Sequence, residues 1–150
     1  MDLILWRHAE AENAPDGGDD LSRPLTAKGE RQAMRMASWL DRHLPEGTRV
    51  LVSPSRRTQQ TVAPLGRKFK LRDELVPETS VEDVLTLIKW HSETGPQLKG
   101  PVLLVGHQPY LGQLVAHLLG MNEQACSIRK GAVWWLRTRV RDGQPQTVLL

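Results

Sequence analysis

Three short apolar runs, each cut off by polar residues, constrain this chain more than any other feature. Leu3-Ile4-Leu5-Trp6 runs into Arg7-His8, Val50-Leu51-Val52 into Ser53-Pro54, and Val102-Leu103-Leu104-Val105 into Gly106-His107. Runs this short, rich in branched aliphatics and without polar alternation, predict strands buried on both faces. Such strands need helices above and below, and the intervening segments supply them. Thr26 is placed to cap a helix over Ala27 to Leu44, where Ala33, Met36, Ala37, Leu40 and Leu44 share one face and Pro45 and Gly47 end the run. Pro54 suits the first turn of a second helix toward Phe69, which Pro64 and Gly66 kink or end early.

Ser80 with Asp83 predicts a capped third helix from Val81 to about Glu93. Pro109 opens a fourth through Leu111, Leu114, Val115, Leu118 and Leu119, stopped by Gly120. A short strand is expected around Lys70 to Val76. Near the end, Ala132, Trp134, Leu136 and Val140 alternate with Val133, Trp135, Arg137, Arg139 and Arg141, and Asp142-Gly143 turns that strand into a hairpin with Thr147 to Leu150. The alternation of strands and helices predicts an α/β fold. It is a three-layer α/β/α sandwich with a mostly parallel central sheet, helices on both faces and an antiparallel C-terminal edge. The 150 residues suit one domain, 1–150.

Composition narrows the function. The chain is 39% hydrophobic and 25% charged, which excludes a disordered polymer. No apolar run nears the roughly 20 residues of a membrane span, and the start, MDLILWRHAE, carries Asp2 and Arg7 and does not read as a signal peptide. A single cysteine, Cys126, rules out an internal disulfide and a multi-cysteine metal site, and fits a reducing, cytoplasmic setting. The net charge of +3 is mild for a nucleic-acid binder. It is split between an acidic stretch (Glu10, Glu12, Asp16, Asp19, Asp20) and a basic one (Arg129, Lys130, Arg137, Arg139, Arg141). Both read first as solvated surface. The loop from Asn13 to Pro24 is the one long irregular stretch, and in a chain of this size it more often serves a site than joins domains.

Open α/β sheets hold ligands at the carboxyl ends of their strands. That rule gathers Arg7, His8, Ser53 and His107 on one edge, beside the helix that begins near Pro54 and carries Arg56 and Arg57. Guanidinium forks and a helix start suit a tetrahedral anion. A neutral imidazole is a nucleophile toward phosphorus, and a second histidine can donate to the oxyanions of a transition state. A metal would want a third ligand, the spacing matches no zinc pattern, and the arginines would repel a divalent cation. Ser53 reads as a helix cap, and His43, His91 and His117 as ordinary surface or boundary residues.

Four segments resemble the signatures of the histidine phosphatase, or phosphoglycerate-mutase-like, superfamily. They are Leu5-Trp6-Arg7-His8-Ala9-Glu10-Ala11, Arg23-Pro24-Leu25-Thr26 with Gly29, Ser53-Pro54-Ser55-Arg56-Arg57-Thr58-Gln59-Gln60-Thr61, and Val105-Gly106-His107. Their order and spacing also agree, from residue 3 to about residue 120. The resemblance implies that His8 is the nucleophile that becomes phosphorylated and that Arg7, Arg57 and His107 bind the phosphoryl oxygens, with no metal and no cofactor. Ala9 departs from the family's glycine and fits the turn if its φ is negative.

The compact length and the Arg-His-Ala-Glu-Ala start look most like the SixA-type phosphohistidine phosphatases. That implies an open pocket for a phosphohistidine on a protein partner, with inorganic phosphate as product; a monomer without a nucleic-acid or membrane partner is expected. Glu10, Asp20 and Glu78 are the candidates for a general acid, and spacing singles out none of them. A phosphoramidate nitrogen leaves more readily than an alkoxide and can do without that acid. The alternatives are a small-molecule phosphomonoesterase or mutase of the same superfamily, acting on a small phosphate ester, and a catalytically silent module that binds a phospho-ligand. A nucleic-acid surface along Arg137, Arg139 and Arg141 is weaker, since charge on an edge strand also discourages aggregation.

Overall fold

The structure, a computed structural model, describes every residue except Pro15, Ser92 and Glu123. The chain runs β1 (Asp2–Arg7), α1 (Ala27–His43), β2 (Arg49–Val52), α2 (Arg56–Val62), β3 (Lys70–Leu71) and α3 (Val81–Leu87). It continues with β4 (Trp90–His91), β5 (Gly95–Pro96), β6 (Val102–Gly106), α4 (Tyr110–Leu118), β7 (Val133–Arg141) and β8 (Gln144–Leu149). Six strands form one sheet in the order β3-β2-β6-β1-β7-β8. The first four are mutually parallel, while β7 is antiparallel to β1 and β8 to β7. The expected α/β architecture and antiparallel edge are present.

Strand pleating divides the core. Ile4 and Trp6, with Val50, Val52, Leu103 and Val105, pack against Ala37 and Leu40 of α1 and Val62 of α2. Leu3 and Leu5, with Leu51, Val102 and Leu104, face Val84 of α3 and Leu111 and Leu114 of α4. Successive residues of a strand point to opposite faces, so a run apolar at every position is what a two-sided core requires. Each fully buried aliphatic side chain here contributes about 1.5–3 kcal/mol.

The caps fall largely where expected. Thr26 Oγ1 accepts from the Gly29 N–H, and Ser80 Oγ accepts from that of Asp83. Gly29 is tightly placed, since a Cβ there would run into the Glu10 carbonyl. Asp142 and Gly143 both have positive φ, as a two-residue turn between Arg141 and Gln144 demands.

Four boundaries need correction. α2 is capped by Ser55, so Pro54 precedes the helix, which ends at Val62 in a 3₁₀ turn over Ala63–Leu65. α3 stops at Leu87, because Lys89 takes a positive φ and Trp90–His91 then pairs with Gly95–Pro96. Ser92, inside the longer helix expected, lies outside the described residues. The strand expected over residues 70–76 is only Lys70–Leu71, followed by a 3₁₀ turn over Asp73–Leu75. β8 starts earlier than expected, at Gln144. Among the described residues no helix is long and apolar enough to cross a membrane.

Candidate active site

The carboxyl ends of β1, β2 and β6 meet at one edge of the sheet. Parallel pairing aligns Arg7 with Gly106 and Val52 with Val105, so His8, Ser53 and His107 emerge side by side. The His8 N–H donates to the Gly106 carbonyl at 3.1 Å, and the Gly131 N–H donates to the carbonyls of both Arg7 and His8. His107 follows Gly106, whose missing side chain admits the hydroxyl of Tyr110; a Cβ there would collide with it. That hydroxyl donates to the Leu75 carbonyl at 2.6 Å and so anchors the ring beside His107. The sequence therefore places four of the expected residues, Arg7, His8, Arg57 and His107, around one edge. Arg57 lies buried in the first turn of α2, while Arg56 is exposed.

The two imidazoles lie with ring centroids 5.3 Å apart. His8 Nδ1 is 2.7 Å from the Ala9 carbonyl oxygen. A carbonyl only accepts, so Nδ1 carries the proton and Nε2 of the neutral ring keeps its lone pair. Burial drives the His8 pKa down to about 4, against the pull of the Ala9 bond and with help from the charges of Arg57, Arg7 and Lys130. His107 is pushed down to about 3, first by burial and then by Arg57 and His8. Both rings are thus neutral at physiological pH. Ala9 needs no glycine here, since Lys89 and Asp142 are the non-glycine residues with positive φ among those described.

Each cation is anchored by one part of its side chain. Arg7 Nη1 donates to the Ile128 carbonyl at 2.8 Å. Arg57 Nη1 donates to the Asp20 carbonyl at 2.8 Å, and its Nη2 lies 3.1 Å from the Asp20 carboxylate. Among the described residues Trp6 Nε1, Arg7 Nε, Arg57 Nε and His107 Nδ1 are buried without a protein partner; Trp6 belongs to the core packed on α1, and the other three belong to the expected site residues. Buried donors left over in this way cost about 1–3 kcal/mol each unless something accepts from them. An oxyanion is the natural acceptor. Burial lowers the Arg7 pKa, which sharpens that demand.

Three side chains of the site were not assigned their roles from sequence. Ser53 does not cap α2, because its N–H still belongs to the sheet ladder, bonded to the Val105 carbonyl. Its Oγ instead lies 2.8 Å from His107 Nε2 and fixes that ring, while Ser55 caps α2 by accepting from the Thr58 N–H. Thr61 Oγ1 accepts from the Ala9 N–H at 3.0 Å and donates to the Arg57 carbonyl, tying the turn after His8 to α2. Thr61 lies four residues after Arg57, one helical turn away, and that spacing was the available signal.

The three acid candidates separate. Glu10 accepts a hydrogen bond from Thr26 Oγ1 at 2.7 Å. Glu78 lies in a different depression, with Pro109, Gln113 and His117. Asp20 is at the site, in a 3₁₀ turn over Asp20–Ser22. Burial tends to raise its pKa, but bonds and charge from Arg23 and Arg57 outweigh that and hold it below the usual carboxylate range. A larger groove, of about 1120 Å³, runs along Arg49, Phe69, Lys70 and Leu87, and none of the four candidate side chains lines it.

The family model of the histidine phosphatase superfamily (branch 1) matches residues 3–80. Phosphohistidine phosphatase SixA of Escherichia coli is 36% identical over 121 residues, which cover 79% of this chain and 74% of that protein. A SixA homolog of Haemophilus influenzae is 31% identical over 133 residues, covering 80% and 78%. The solved structure of the protein histidine phosphatase SixA complexed with tungstate superposes with a TM-score of 0.78 at 28% identity, over 99% of this chain and 94% of that one. Fold, order of the sequence blocks and similarity to these relatives all agree, and the chain belongs to the histidine phosphatase superfamily, as a phosphatase of its SixA branch.

Proposed function

We propose that this phosphatase removes the phosphoryl group from phosphohistidine on a partner protein, through a covalent intermediate on His8. The observation that carries this reading is the unprotonated Nε2 of His8 beside buried nitrogens of Arg7, Arg57 and His107 that lack acceptors. Nε2 attacks phosphorus in line, and the new N–P bond forms as the substrate's N–P bond breaks. The leaving imidazole takes up a proton from solvent. Arg7, Arg57 and His107 hold the three equatorial oxygens, where charge must be stabilised. Water then attacks phospho-His8, and inorganic phosphate leaves with His8 restored.

The state of the carboxylates supports a phosphoramidate over an ester. An alkoxide needs a proton from a positioned acid, worth about 10²–10⁴-fold. Asp20, the carboxyl group bonded to Arg57, is held ionised. The same reading takes the 150 residues as one domain and the protein as a monomer. A cytoplasmic setting goes with it, as a lone thiol, Cys126, suits a reducing compartment. The test is a panel of phosphohistidine peptide, phosphoserine peptide and phosphoglycerate. A kcat/KM at least about a hundredfold higher on phosphohistidine is expected, since Asp20 is held ionised and gives an alkoxide no proton. Equal or faster turnover of the esters would overturn the assignment.

A further inference from the structure

Gln32, Arg35, Met36 and Trp39 share one face of α1 at positions i, i+3, i+4 and i+7. They line a depression of about 560 Å³ whose opposite wall is the segment 129–133. Two of its lining residues are bonded to the backbone beside the nucleophile. Gln32 Oε1 accepts from the Glu10 N–H, and the Gly131 N–H is the one bonded to the Arg7 and His8 carbonyls. The depression is also lined by the half-exposed indole of Trp39, stacked on His43 and edge-on to Trp135.

The charge lining the depression is all of one sign. Arg35, Arg129 and Lys130 are exposed on the depression side, and among the described residues none of the three forms an ion pair. Of the acidic stretch, Glu12, Asp19 and Asp20 do not line the depression, and Asp20 reaches Arg57 instead. Free cations on a helix are ordinarily just solvated. Here they flank a thioether and an indole in a recess that shares its backbone contacts with the nucleophile.

We propose that this depression docks an acidic segment flanking the phosphohistidine of the partner protein. Carboxylates of that segment meet Arg35, Arg129 and Lys130, and an apolar side chain rests on Met36 and Trp39. The proposal rests on the phosphohistidine reading above and specifies its substrate. Charges at such a rim act mainly on encounter rate and salt dependence.

The test uses two phosphohistidine peptides of equal length, one with Asp/Glu flanks and one with Lys/Arg flanks, together with phosphoimidazole. The wild type should favour the acidic peptide by about tenfold or more in kcat/KM at low salt, with the preference shrinking as salt is added. In R35E/R129E the preference should vanish or reverse while phosphoimidazole turnover stays unchanged. Docking is overturned if the wild type shows no preference, if the double variant keeps it, or if phosphoimidazole turnover falls in parallel. If the wild type hydrolyses none of the three, the phosphohistidine reading falls, and docking is judged on its own by anisotropy of a labelled, unphosphorylated acidic peptide. Binding to wild type but not to R35E/R129E then supports the surface, and absence of binding overturns it.

Discussion

The parallel half of the sheet and its antiparallel C-terminal hairpin differ in where they put polar atoms. Among the described residues, His8, Ser53, Ser55, Arg57, Thr58, Thr61, His107 and Thr138 are the buried polar ones. All but Thr138 sit at the carboxyl ends of β1, β2 and β6 or in α2 and its cap. Thr138 belongs to β7, and its hydroxyl is paired with that of Thr147. The hairpin leaves apolar Val140, Val148, Leu149 and Leu150 exposed, and among the described residues none of its side-chain polar atoms is buried without a partner. The parallel edge buries donors that it does not satisfy. Strand ends that cost stability in this way have been shaped by what they bind, whereas the hairpin completes the sheet.

The sharpest way to break this contrast is at His8. His8→Ala should lower turnover by more than about 10³-fold while the thermal melt stays close to wild type; residual activity near wild type would remove the nucleophile from the account. Arg57→Ala comes next, with kcat/KM expected to drop about 10²–10³-fold, since an oxyanion donor is lost. An effect below tenfold would mean that the fork bonded to Asp20 is structural only.

The third test is pH. Both site histidines have folded pKa values, about 4 and about 3, below the unfolded value of 6.5. The unfolded chain therefore binds protons first as pH falls. Their contribution to stability is complete above pH 6.5 and is lost progressively toward pH 4 and then pH 3. Denaturant melts across that range should show the loss, and His8→Ala should reduce its slope. The acid limb of kcat/KM should likewise lie near pH 4, and a limb at 6.5 would contradict the burial argument. The smallest effect belongs to the hairpin. Val148→Thr should change stability by no more than about 0.5 kcal/mol and leave kcat/KM untouched.

Much of this contrast was legible in the sequence because it rests on local pattern. Continuous apolar runs announced two-sided strands, Thr26 and Ser80 announced caps, and the polar exits of the runs named His8 and His107. The match to the family's second sequence block, rather than any local pattern, separated Arg57 from Arg56. What escaped was set by contacts between distant residues. Whether Ser53 or Ser55 caps α2 depends on how far β2 stays in the ladder with β6. The early end of α3 depends on Trp90 and His91 finding Gly95 and Pro96. Asp20 could be a free acid or an anchored base on sequence alone, and the choice is made by Arg57, 37 residues further along.

The central claim is that His8 Nε2 carries the phosphoryl group during turnover. Its most direct measurement is rapid quench of the enzyme with ³²P-labelled phosphohistidine peptide, followed by mapping of the label. The account predicts label on the peptide that contains His8, stable to alkali, lost in acid and absent from His8→Ala. Label on another residue, or full turnover with no labelled enzyme at any quench time, would contradict it.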